Sequence, residues 1–217
     1  MMRSPKALSS HRVILSPPLT MTSSDQSALS TDTTAIEILE RTDDEPIDLV
    51  DRDDRIIGWC WRSELPDTHP QHCRTVNAFL INDLGQIWTP RRTASKTRFP
   101  LALDMSCGGY VTRGESYELA MRRELQEETG LDFDQLDGRE VARLSPYDRP
   151  VSSFMAVYEF RTNQTPPWNR EDFCEAYWLN PQDLIDRIQA GDRAKGDLIE
   201  LITWLYGDRE TSPNLHP

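Results

Sequence analysis

The segment GGYVTRGESYELAMRRELQEETGL, residues 108–131, constrains this chain more than any other. It reads as a helix that carries acids on the face it should bury. Ser116 suits an N-cap and Gly130 a helix end, which predicts a helix running to about Glu128. At a helical step of about 100° per residue, Tyr117, Ala120, Met121 and Leu125 fall in one apolar arc, with Glu118, Arg122, Arg123 and Gln126 opposite. A solvated charge run would keep its carboxylates on that opposite side. Instead Glu124 and Glu128 fall inside the apolar arc and Glu127 at its edge, at the i+3 and i+4 spacings that make all three surface neighbours.

Three half-buried carboxylates together are costly unless paired or metal-bound. Arg123, four residues before Glu127, can pair with it, but one guanidinium does not neutralise the set. Two readings stand at this point: an oxygen-only site for a hard cation, Mg²⁺ or Mn²⁺, or a surface salt-bridge network. Gly108 and Gly109 bear on the choice. A strand interior disfavours glycine, so the pair marks either a plain bulge or a place where a ligand approaches the backbone and its carbonyls closely.

The rest of the chain reads as a mixed sheet interleaved with three helices, an α/β or α+β layered domain. IDLVDRDDRIIGWCW suggests two strands about an acidic turn at Asp51–Asp54. TVNAFLIND and QIWTPRR suggest a hairpin about Asn82–Gly85, and SCGGYV a short strand. REVARLSPY, SSFMAVYEF and FCEAYWLN suggest three more strands. PQDLIDRIQA and KGDLIELITWLY suggest two further helices. Residues 1–44, rich in Ser, Thr and Pro, are expected to be a disordered tail, 45–210 the domain, and 211–217 a short C-terminal tail. The first 24 residues hold Arg3, Lys6 and Arg12 and no acid, which is faintly like a transit peptide; a start at Met21 is the other reading.

Among 217 residues the net charge is −12, which argues against a nucleic-acid polymer or an anionic membrane as partner. An anionic small molecule stays open, because a local basic cluster or a metal can reverse the field in a cleft. No run of 18 apolar residues occurs. Cys60, Cys73, Cys107 and Cys174 form no CxxC pair and read as reduced thiols of a cytoplasmic protein. A monomer or homodimer is expected.

From Gly109 to Leu131 the chain resembles the Nudix box at all nine defined positions: Gly109, Glu115, Arg123, Glu124, Leu125, Glu127, Glu128, Gly130 and Leu131. The resemblance implies a Nudix fold and Mg²⁺-dependent cleavage of a diphosphate linked to another moiety. Carried over by position, Glu124, Glu127 and Glu128 correspond to metal ligands, with Glu124 also orienting water. Glu115 is implied as an accessory acid and Arg123 as the residue that orients the carboxylates. The Gly109 carbonyl is implied as a further ligand.

The run VNAFLINDLGQIWTPRRTASKTRFPLALDMSCGGYVTRGES is further similar to the isopentenyl-diphosphate-isomerase-like branch. There an RRxxSK loop holds the diphosphate, which implies Arg92 and Lys96 as substrate-binding residues, with Arg91 and Arg98 beside them. An exposed basic loop is the plainer reading. Three activities follow as alternatives: hydrolase, isomerase, or a catalytically silent diphosphate-binding module. The isomerases need a Cys where this chain has Gly108, and Cys107, one residue earlier on a strand, points to the other face. They also need acids where this chain has PVSSFMAV, and His69, His72 and Cys73 do not reproduce their metal ligands. Hydrolysis needs neither, which favours a hydrolase. The resemblance to a branch that includes hydrolases of small nucleoside diphosphates implies a nucleoside diphosphate, or next a nucleoside-diphosphate sugar, as substrate. Trp61, Phe154, Trp168 and Tyr177 are the aromatic candidates for stacking on a base, and Glu175 is a candidate extra ligand or base.

Overall fold

The computed structural model describes residues 44–65 and 72–207. The tails expected at either end lie outside the described residues, Asp44 apart, as does His69. Strands β1 (Pro46–Val50) and β2 (Ile56–Trp61) pair antiparallel as a small separate sheet about the acidic turn. The main sheet contains β3 (Arg74–Ile81), β4 (Ile87–Arg92), β5 (Cys107–Tyr110), β6 (Asp137–Leu144), β7 (Phe154–Arg161) and β8 (Phe173–Leu179). Its order is β6-β7-β3-β4-β8, with β5 also paired to β3. Only β3 and β7 run parallel; the other pairs are antiparallel. A mixed sheet results, as expected.

One detail of register positions the site. β4 is paired with β3 only at Ile81–Ile87, after which β5 takes its place along β3, from Thr75–Tyr110 to Ala78–Cys107. A cleft lined by residues of β3, β4 and β5 therefore forms where the two strands share one flank of β3.

Side-chain alternation sorts the core into two layers. Val76, Ala78 and Leu80 of β3 face α1 (Tyr117–Glu124), together with Ala156, Tyr158 and Phe160 of β7. Phe79, Ile81, Met155 and Val157 face α2 (Pro181–Gln189) and α3 (Leu198–Tyr206). In α3 the buried residues are Leu198, Leu201, Ile202 and Tyr206, an i, i+3, i+4, i+8 stripe, and Tyr206 meets Phe79 edge-on at 5.7 Å. Each such side chain fully buried contributes about 1.5–3 kcal/mol.

Ser116 caps α1 as expected, its hydroxyl accepting the Leu119 N–H at 3.2 Å. The helix then departs from the expectation. It is α-helical only to Glu124 and continues as a π turn over Leu125–Thr129. Gly130 ends it in the left-handed region, φ 69°.

Candidate active site

The acids of the helix are where the wheel put them. Glu124 and Glu128 are buried, at 8% and 9% exposure, while the Glu127 side chain is 59% exposed. The glycines explain how the carboxylates can lie there. A Cβ on Gly109 would stand 1.9 Å from Glu124 Oε1, so the carboxylate occupies the space a side chain would take. A Cβ on Gly108 would meet the Val76 carbonyl at 2.5 Å, and the Gly108 N–H donates to Glu128 Oε2 at 2.9 Å.

Arg123 ties the group together. Its Nε and Nη2 donate to both oxygens of Glu115, at 2.9 and 3.0 Å, and Nη2 also to the Tyr110 carbonyl at 3.0 Å. Nη1 donates to Glu124 at 2.7 Å and, more weakly, to Glu127 at 3.4 Å. This planar fork satisfies five acceptors from one residue. Burial pushes the Glu115 carboxyl up, but the hydrogen bonds from Arg123 and the Thr112 N–H outweigh it and hold it below the usual carboxylate range. Glu124 goes the other way: burial raises its pKa more than Arg123 lowers it. Glu128 is raised well above the usual range, first by burial and then by the charges of Glu124 and Asp104.

Two cations line the same cleft, each paired with an acid. Arg92, at the end of β4, donates from Nη1 to the buried Asp104 at 2.7 Å. Lys96, on the loop that follows, is paired with Asp172. Arg92, Lys96, Gly108, Gly109, Glu124, Glu127 and Glu128 line one cleft of about 830 Å³. Arg123 and Glu115 do not line it and act from behind the carboxylates.

Several expected residues are not brought to the cleft. Arg91 binds Asp192 through Nη1 and Nη2 at 2.8 and 2.7 Å, and Glu175 through Nε at 2.6 Å. The strand alternation that aims Arg92 inward aims Arg91 away. Glu175 goes with it, its pKa lowered by bonding to Tyr177 and Arg91. Of the aromatic candidates, Trp61 and Phe154 are buried, Trp168 packs on Trp88, and Tyr177 lies under Arg187. The aromatic residues that line the cleft are Tyr110 and Phe99. Asp104, Asp172, Lys195 and the Ser152–Asp197 pair (Oγ to Oδ2 2.5 Å) also escaped the reading of the sequence. They come from separate loops with no motif of their own.

Whether a divalent cation fits can be judged from the donors. Among the described residues no three His, Cys, Asp or Glu side chains converge into a closed cage. Arg123 holds Glu124 and Glu127, and the Gly108 N–H holds Glu128. The donor set nevertheless suits a hard cation: Glu124 and Glu128 are buried carboxylates whose pKa values are raised first by burial, with exposed Glu127 at the rim. The Gly109 main chain lies directly against Glu124.

Cys107 packs in the core beneath α1, and burial pushes its thiol well above the ordinary range. Gly108, next along the strand, is the residue that faces the cleft.

A model of the NUDIX domain matches residues 71–202. A Nudix hydrolase of Deinococcus radiodurans is 47% identical over 167 residues, spanning 77% of this chain and 97% of the relative. A crystal structure of a Deinococcus radiodurans protein, 47% identical, superposes with a TM-score of 0.72 over 75% of this chain and 99% of that one. An isopentenyl-diphosphate Delta-isomerase of Nocardia farcinica is 35% identical over 86 residues, 40% of this chain and 49% of the relative. A match that partial supports the isomerase-like branch only weakly. Family model, full-length relative and superposed fold agree with the glutamates on their glycine ledge: the chain belongs to the Nudix hydrolases, enzymes that hydrolyse phosphoric anhydrides.

Proposed function

We propose that the protein is a Mg²⁺-dependent hydrolase that cleaves a nucleoside diphosphate, or a related diphosphate-linked compound, by attack of water at phosphorus. The observation that carries this is that one cleft brings together buried Glu124 and Glu128 with Arg92 and Lys96. Glu124, Glu127, Glu128 and the Gly109 carbonyl are the groups that would hold the ion. Mg²⁺, or Mn²⁺ in its place, supplies charge that neutralises the diphosphate and activates water when bound.

The chain's own residues do the rest. Arg92 and Lys96 receive the diphosphate oxygens and orient the anhydride. Arg123 occupies Glu124 Oε1, which leaves Oε2 to accept the proton from the attacking water. The water oxygen bonds to phosphorus as the bridging P–O bond breaks, and the leaving phosphate carries away the electron pair. Glu115 acts through Arg123, fixing its plane. With Gly108 in the cleft and Cys107 in the core, the site offers no thiol to protonate a carbon–carbon double bond, which favours hydrolysis over isomerisation.

Product analysis with Mg²⁺ across nucleoside diphosphates, nucleoside triphosphates, ADP-ribose, UDP-glucose, coenzyme A, a dinucleoside polyphosphate and isopentenyl diphosphate tests the reading. Release of phosphate from a nucleoside diphosphate is expected, reduced on the order of a hundredfold or more in Glu128→Gln. Isomerised isopentenyl diphosphate, or diphosphate binding with no turnover anywhere on the panel, would overturn it.

A further inference from the structure

Arg92 and Lys96 are matched one for one by Asp104 and Asp172. As two pairs they present no net charge to an anion. Lys195, on the loop before α3, changes that balance. Its Nζ lies 3.2 Å from Asp104 Oδ1, while Arg92 Nη1 donates to Oδ2 at 2.7 Å. One carboxylate therefore holds two cations, and the trio carries a net positive charge.

The layering of the trio is functional in form. The Asp104 side chain is 5% exposed and does not line the cleft, whereas Arg92 and Lys195 do. Asp104 is immobilised from behind: the Met105 N–H donates to Oδ1 at 2.8 Å, and its own N–H donates to the Pro90 carbonyl at 2.9 Å. The backbone of Lys195 is pinned to the residue beside Asp104. Its N–H donates to the Leu103 carbonyl at 2.8 Å, and the Leu103 N–H donates to the Arg193 carbonyl at 2.7 Å. A single buried aspartate needs one cation for neutrality. A second one, brought from a distant loop to the cleft lining, leaves the trio a surplus positive charge beside the site, where it also acts on Glu128.

We propose that Lys195 is a further diphosphate-binding cation beside Arg92 and Lys96, and that Asp104 is the positioning residue that holds Arg92 and Lys195 side by side at the cleft wall. This rests on the hydrolase reading above, so the test separates the two. Calorimetric binding of methylenediphosphonate, a diphosphate that water does not cleave, is measured with Mg²⁺ on the full chain, alongside kcat and KM for the best nucleoside diphosphate.

Lys195→Met is expected to weaken methylenediphosphonate binding roughly tenfold to a hundredfold and to raise KM more than it lowers kcat, with Lys195→Arg restoring most of the loss. Asp104→Asn distinguishes position from charge. It makes the wall more positive, so a purely electrostatic role tightens binding, whereas a positioning role weakens it. Lys195→Met with unchanged affinity and KM would overturn the Lys195 assignment while leaving the hydrolase intact. Tighter binding by Asp104→Asn would overturn the positioning role, and since Lys195→Met alters a partly exposed side chain, the first result stands even where Asp104→Asn fails to fold. Wild-type protein that neither binds methylenediphosphonate nor cleaves any nucleoside diphosphate would overturn both readings.

Discussion

At Gly109 a missing side chain is the site's main steric requirement. The Glu124 carboxylate lies where a Cβ would be, at 1.9 Å, and the obstructing atoms are the far end of a side chain that can swing. The fold can therefore accommodate Gly109→Ala, but the chemistry cannot, because the displaced carboxylate loses its bond to Arg123 and its place in the cleft. Activity is expected to fall on the order of a hundredfold, the effect of a misplacement of about 1 Å, with the melting temperature nearly unchanged. Kinetics beside a thermal melt checks this; equal losses in both would assign Gly109 a structural role instead. The glycine pair was legible in the sequence as a close-approach signal. Its occupant, a carboxylate of the same chain, was not, because nothing in a linear pattern says which side chain from another element will reach a given backbone.

The helix that bears the acids shows how far periodicity carries. Its N-cap, its end at Gly130 and the burial of Glu124 and Glu128 all follow from spacing, because each depends on neighbours within a turn or two. The change to a π turn at Leu125–Thr129 does not. It depends on how the last turn is held against β5, where Glu128 meets the Gly108 N–H, and on the Asn169 N–H bonding to the Glu128 carbonyl at 2.8 Å. Since the cap and the acids occupy opposite ends of the segment, they should be separable. Ser116→Ala is expected to cost about 1 kcal/mol in a denaturant titration while leaving KM unchanged. A shifted KM would show that the cap also sets the register of the carboxylates.

Across the whole molecule, the two buried acids set how stability depends on pH. A carboxyl whose folded pKa lies above its unfolded value binds its proton more tightly when folded. Its contribution is complete below the unfolded value and is lost as pH rises toward the folded one. Glu124 and Glu128 are both raised from 4.5. Asp192, held at about 2 by Arg91 and Arg187, and Glu115 act oppositely, stabilising above the ordinary range and only weakening in acid. Of these four carboxyls, only the first pair gives a slope above the ordinary carboxylate range. Metal-free protein is expected to melt at progressively lower temperature as pH rises above the ordinary carboxylate range toward the raised pKa values of the pair. Mg²⁺ should reverse the fall, adding about 2.7 kcal/mol at a hundred times its dissociation constant. A flat profile in chelator would mean that the pair is compensated from within the protein.

The glutamates, glycines, cap and alternating strands were determined by the sequence alone, because they are short-range patterns whose consequences play out along one element. The aim of Arg92 into the cleft and of Arg91 away from it, the burial of Asp104, the approach of Lys195 and the choice of Tyr110 and Phe99 as the aromatic residues lining the cleft were decided only by tertiary structure. Those outcomes depend on where β4 parts from β3 and on which loop lands beside Leu103. Such long-range pairings are settled by the packing of the two cores on either face of the sheet, and no local spacing encodes them.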